Sequence, residues 1–176
     1  MIRVEIDSIR VSLMSQDRVV VLKDSETDRY LPIWIGQPEA EALRVELQGI
    51  QTQRPLTHDL LKAIIKELGG EIDYILINDL RHDIYFATIR VSMDGKAYDI
   101  DARPSDSINL AVRFKVPIYV EETVMDRAAI EPEEEIAVDD DETGAEVSEQ
   151  GDEESADLGV FKDFLDTLDL DDLDSD

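Results

Sequence analysis

Charge is divided so unevenly along this chain that only its first three quarters can build a core. Residues 1–130 hold 16 Lys and Arg against 22 Asp and Glu, whereas residues 131–176 hold 1 against 21. The net charge of −26 therefore belongs mostly to a polyanionic last quarter. A stretch that acidic repels itself and has too little apolar area to offset the entropy of ordering, so residues 131–157 read as a disordered linker. Residues 158–176 differ in one respect. Phe161, Phe164, Leu165 and Leu168 recur at i, i+3, i+4 and i+7 with aspartates between them, an amphipathic pattern too short to be a stable helix alone. Such a segment docks on its own body, meets a protein partner, or simply solubilises the chain. One folded domain over residues 1–130 is the expectation.

Within that domain the hydrophobic period switches twice from two to near four. Ile2, Val4 and Ile6 alternate with Arg3, Glu5 and Asp7, a half-buried strand. Strands follow at Arg18–Leu22 and Tyr30–Ile35, and Gly36-Gln37-Pro38 ends the third. Ala40, Leu43, Leu47 and Ile50 then share one helical face. A second helix, capped by Thr57 or His58, carries Leu60, Leu61, Ile64, Ile65 and Leu68 as its apolar stripe and stops at Gly69-Gly70. The pattern returns as strands over residues 71–80, 84–93 and 96–101, with Asp94-Gly95 as a tight hairpin turn. Pro104 opens a helix, and Val116–Val120 is a last short strand. Two strand-strand-strand-helix units imply an internal duplication. Leu31–Ala42 lies over Ala97–Ile108 at an offset of 66, with a proline and acidic residues at each helix start. The expected fold is α+β, the duplicated units forming a mixed, barrel-like sheet packed with helices.

Two polar clusters stand at predicted helix starts, where free N–H groups and the helix dipole favour anions. The first runs from Asp99 through Asp101, Arg103 and Ser105 to Asp106. Asp99 and Asp101 are two apart on a strand and face the same way, so they repel unless a cation or Arg103 lies between them. Paired carboxylates are candidates to hold Mg²⁺ or Mn²⁺, and Arg103 to clamp a phosphate. The opposing reading makes Arg103 the ion-pair partner of Asp99 or Asp101, with Ser105 or Asp106 capping the helix. The second cluster contains Arg54, Thr57, His58 and Asp59. His58 is a candidate acid–base group; in the alternative it lies in an exposed first turn. Trp34 is assigned to the core or to a subunit interface.

Taken together, Leu31-Pro32-Ile33-Trp34-Ile35-Gly36 with Glu39-Ala40, Arg54-Pro55-Leu56-Thr57-His58-Asp59-Leu60, and Asp101-Ala102-Arg103-Pro104-Ser105-Asp106 resemble the bifunctional nuclease family. The run to Ala111-Val112-Arg113 and then Val116-Pro117-Ile118 completes the likeness, which covers residues 1–130. The resemblance implies hydrolysis of phosphodiester bonds in both DNA and RNA with little sequence choice, and a homodimer or higher homo-oligomer. With that activity in view, the residues of the two polar clusters, Asp99, Asp101, Arg103, Asp106, His58 and Asp59, are the catalytic candidates. Arg54, Arg103 and Ser105 become substrate-binding candidates, and Asp99 and Asp101 candidate ligands of a divalent cation. Some members end in a small helical excision-repair-type motif, where this chain has its acidic tail.

Several classes are disfavoured by composition. There is no cysteine, hence no disulfide, thiolate metal site or cysteine nucleophile. The N-terminal residues are too charged for a signal peptide, and no apolar run approaches a membrane span. A cytoplasmic protein is the expectation. The competing function is a non-enzymatic regulatory or interaction module that works through its acidic tail, since a polyanion does not seek nucleic acid.

Overall fold

The computed structural model describes residues 1–11 and 18–131. In chain order the elements are β1 (Ile2–Val11), β2 (Arg18–Asp24), β3 (Tyr30–Ile35), α1 (Gln37–Leu47), α2 (Thr57–Glu67), β4 (Glu71–Arg81), β5 (Ile84–Met93), β6 (Lys96–Ala102), α3 (Pro104–Phe114), β7 (Ile118–Val120) and α4 (Glu122–Ala128). They belong to a compact unit, Met1–Glu133. The expectations for the acidic linker and for the 158–176 segment lie outside the described residues.

The strands form one seven-stranded sheet in the order β3-β2-β1-β7-β4-β5-β6. Each half is a meander of three antiparallel strands. β7 joins the halves, antiparallel to β1 and parallel to β4. Both hairpins of the second half turn on two residues of positive φ, His82-Asp83 and Asp94-Gly95, the backbone that matches strand twist in tight hairpins. Tyr85 of β5 donates its hydroxyl hydrogen bond to the Pro32 carbonyl of β3 at 3.4 Å. Those strands are five places apart, about 24 Å in a flat sheet. The contact therefore requires the sheet to curl, and it forms a half-barrel.

Register separates the two faces. Val4, Ile118, Ile75, Ile89 and Ile100 stand side by side across β1, β7, β4, β5 and β6. All but Ile100 are buried, in a cluster with Ala40 and Leu43 of α1, Ile108, Leu110 and Ala111 of α3, and Val124 and Met125 of α4. The next residue on each strand faces the other way, giving the row Arg3, Tyr119, Leu76, Thr88 and Asp101. Arg29 ties α4 to the β2–β3 turn through Asp24 at 3.0 Å and Glu122 and Asp126 at 3.4 Å.

Two expectations about helix faces are corrected. In α1, Ala40, Ala42 and Leu43 are buried, but Leu47 and Ile50 are exposed. In α2 the stripe is turned outward: Leu60, Leu61, Ile64 and Leu68 are 40–69% exposed, and the one buried residue is His58. The reading of His58 as an exposed first-turn residue is likewise overturned. A helical period fixes which residues share a face, not which way that face points.

Candidate functional site

α1, α2 and α3 each begin after an extended residue, namely Gly36, Leu56 and Arg103. Each carries a carboxylate as its third helical residue: Glu39, Asp59 and Asp106. An acid there faces the unsatisfied N–H groups of the first turn. Asp59 uses the position locally, its Oδ2 accepting from the Leu56 N–H at 2.8 Å. Its other oxygen accepts from Arg113 Nε at 2.7 Å. Glu39 and Asp106 instead reach across to Arg103.

Arg113, fully buried, bolts the three helices together. It donates from Nη1 to Asn109 Oδ1 at 2.9 Å and from Nη2 to the Ala42 carbonyl at 3.1 Å. Asn109 Nδ2 in turn donates to the Glu39 and Ser105 carbonyls, each at 3.0 Å. A buried guanidinium is tolerated because these acceptors replace its water. Burial pushes the Asp59 carboxyl upward. The hydrogen bonds from Arg113 and Leu56 and the Arg113 charge outweigh it and hold the group below the usual carboxylate range.

On this frame Arg103 is gripped from two helix starts. Nε donates to Asp106 Oδ2 at 2.8 Å, and Nη2 donates to Glu39 Oε1 at 2.7 Å and to Asp106 Oδ1 at 3.2 Å. Behind Asp106, His58 Nε2 lies 3.1 Å from Oδ1. The Arg103 side chain is 66% exposed and that of Asp106 31%, whereas His58 is only 7% exposed. The hydrogen bonds to Asp106 and then Glu39 raise the Arg103 pKa above its ordinary value. Burial alone would raise Asp106, but bonds from Arg103 and His58 and the Arg103 charge lower it overall. The result is a fixed cation at a helix start whose Nη1 has no partner among the described residues. Such a group suits a phosphate, which must draw it from one of two carboxylates.

The other sequence candidates lie elsewhere. Asp99 accepts from Arg90 Nη1 with both oxygens at 2.7 Å, so the expected pairing of Arg103 with Asp99 or Asp101 is replaced by its bonds to Asp106 and Glu39. Asp101 pairs across the ladder with Thr88, on the face opposite Ile89 and Ile100. No group of three or more His, Asp or Glu residues able to hold a metal occurs among the described residues. With Asp99 held by Arg90, the Asp99–Asp101 pair does not fit a cation bound by protein alone, and no step is routed through one. Ser105 is buried, and Arg54 lies exposed in the loop before α2. Glu39 was read from the sequence only as an acid at the first helix start, with no role at the site, although the duplication contained the signal. An offset of 67 rather than 66 places Glu39 over Asp106, the two carboxylates that share Arg103.

Relatives match this sequence to different extents. An uncharacterized protein of Mycobacterium tuberculosis is 40% identical over 169 residues, 96% of each chain. Bifunctional nuclease 2 of Arabidopsis thaliana is 32% identical over 105 residues, 58% of this chain and 32% of its own. Bifunctional nuclease 1 of Oryza sativa subsp. japonica is 28% identical over 116 residues, 64% of this chain and 35% of its own. This chain thus spans about a third of the plant proteins' length. Residues 20–133 match the bifunctional nuclease domain. That stretch runs from β2 to the end of the compact unit and includes Glu39, His58, Arg103 and Asp106, so the protein belongs to the bifunctional nuclease domain family.

Proposed function

We propose that the protein is a nuclease that hydrolyses phosphodiester bonds of DNA and RNA with little sequence choice, at the Arg103–Asp106 centre. The observation that carries the reading is the exposed Arg103 guanidinium, pinned at two helix starts with no partner for Nη1 among the described residues. Arg103 binds the phosphate and offsets the charge that grows on its oxygens, and Asp106 is the carboxylate nearest that phosphate. Family membership and the plant nucleases' names support phosphodiester chemistry.

The test is turnover of single- and double-stranded DNA and RNA oligonucleotides by the full chain, with and without EDTA. Arg103→Ala and Asp106→Asn are each expected to cut the rate at least tenfold, about 1.4 kcal/mol of barrier. Asp99→Asn is expected to stay within about threefold, because its carboxylate serves Arg90. Wild-type rates in both folded Arg103 and Asp106 variants would remove the assignment. A divalent cation carried in on the substrate phosphates, the way Mg²⁺ is commonly held, belongs to the proposal. Unchanged rates in EDTA would remove it. The non-enzymatic alternative is favoured by the acidic last quarter, and it expects no turnover of any substrate.

The proposal extends to a homo-oligomer and a cytoplasmic setting. Among the described residues no helix is long and apolar enough to cross a membrane. The sequence placed the subunit contact at Leu31–Ile35; Trp34 is 54% exposed there and its neighbours are buried. More exposed apolar residues lie on α2 and β6. Ile65 of α2 and Val91 of β5 flank Gly70, Val91 pairs with Tyr98, and Tyr98 and Ile100 are exposed, as are Leu60, Leu61, Ile64 and Leu68 of α2. An open antiparallel edge is complementary to itself about a two-fold axis, so a second copy is the occupant proposed.

A further inference from the structure

We infer that His58 is a positioning residue: it holds the Asp106 carboxylate through Nε2–H, keeps Nδ1 without a proton inside the protein, and leaves proton transfer to Asp106. The inference rests on the reading of Arg103–Asp106 as the reaction centre, and deepens it by naming the proton acceptor.

An ionised carboxylate can only accept, so the His58 nitrogen 3.1 Å from Asp106 Oδ1 must carry the hydrogen. In a neutral imidazole the other nitrogen is then a bare lone pair. That nitrogen, Nδ1, is buried and has no hydrogen-bond partner among the described residues. A second proton on it would be a buried donor with no acceptor, the arrangement proteins avoid. A general base must also come within hydrogen-bond reach of the proton it takes. Nε2 is engaged and Nδ1 is enclosed, so His58 offers a substrate neither nitrogen.

Asp106 meets the requirement that His58 does not. The charged groups facing it are Arg103, Glu39 beyond Arg103, and His58. When a phosphate draws Arg103 away, Oδ2 is released while Oδ1 stays tied to His58. Oδ2 can then take a proton from water as the water oxygen bonds to phosphorus. The bond from phosphorus to the leaving oxygen breaks, and that oxygen takes a proton from solvent. Loss of the Arg103 bond also makes Asp106 a stronger base than it is at rest, so substrate binding prepares its own proton acceptor.

The chain contains two histidines, which makes a spectroscopic test direct. Nitrogen-15 spectra of the full chain at pH 7 are expected to show His58 as the Nε2–H tautomer. The Asp106 carboxyl carbon is expected to titrate below the usual carboxylate range in the wild type, to move upward in His58→Phe, and to move less in His58→Gln, which keeps an N–H donor. An Nδ1–H tautomer, an imidazolium at pH 7, or an Asp106 titration unmoved in both variants would overturn the inference. Where His58→Phe does not fold, His58→Gln and the wild-type tautomer decide it. In turnover assays His58→Phe should lower kcat about tenfold with KM within about twofold, and the acidic limb of its pH profile should persist. Disappearance of that limb would make His58 the titrating base and overturn the inference. Absence of turnover in the wild type would instead remove the nuclease reading, with the tautomer and the Asp106 titration still testing the positioning role.

Discussion

A methyl group on residue 36 would collide with the Oε2 atom of Glu39. Gly36 precedes α1 with φ −65° and ψ 151°, a backbone open to any residue, so it is the neighbouring carboxylate and not the chain path that favours glycine there. Gly36→Ala should therefore fold normally, with stability changed by less than about 1 kcal/mol. Glu39 should swing away from Arg103. With one competitor removed, a labelled oligonucleotide should bind more tightly, and Glu39→Gln should reproduce the gain. A fluorescence titration checks this, and an unchanged affinity in both variants would show that Glu39 does not compete for the guanidinium. At this scale the site was partly legible. Arg103 and Asp106 announced themselves as dense charge at a helix start. His58 was visible as a residue type, yet its burial was not, because depth comes from the packing of α2 on α3. The partner of Asp99 was not legible, because Arg90 sits nine residues away across a ladder whose register only folding fixes.

The clearest disagreement between pattern and structure lies in α2. Its five apolar residues fall on one stripe by spacing, and that much was readable. Their direction was not, because three other demands set the helix's roll: His58 meets Asp106, Asp59 meets Arg113, and Lys62 donates to the Arg113 carbonyl at 2.6 Å. Polar anchors on one side leave the aliphatic stripe on the other. Strand boundaries were easier, since alternation and turn residues are local; β3 and β5 begin and end where the sequence places them. The outward stripe yields a prediction. Ile64→Asp with Leu68→Glu should lower the molar mass measured by light scattering to that of one chain. Thermal stability of the domain should change little, because neither side chain is in the core. A mass unaltered by the pair would move the contact elsewhere, with Trp34 as the next candidate.

For the whole molecule, acid is the most informative perturbant. Asp24, Asp59 and Asp106 are all held below the usual carboxylate value in the folded state, each because hydrogen bonds and arginine charge outweigh the upward push of burial. Folding therefore lowers the number of protons these groups bind. Their stabilisation is fully present above the unfolded value near pH 4 and is lost as pH falls through the lower folded values. The urea midpoint should be insensitive to these three groups above about pH 5 and drop steeply below about pH 4. A flat midpoint down to pH 3 would contradict the ion-pair network. The sheet order carries a different consequence, one of timing. Among the described residues the two meanders do not pair directly, and residues 118–120 form the only ladder between them. During synthesis the first meander and its helices emerge with an open β1 edge, and that edge has no partner until nearly the whole domain has been made. The protein is thus a vault whose keystone is set last. A chain ending after Pro117 should accumulate as an aggregation-prone species with no cooperative melt, although it contains six of the seven strands.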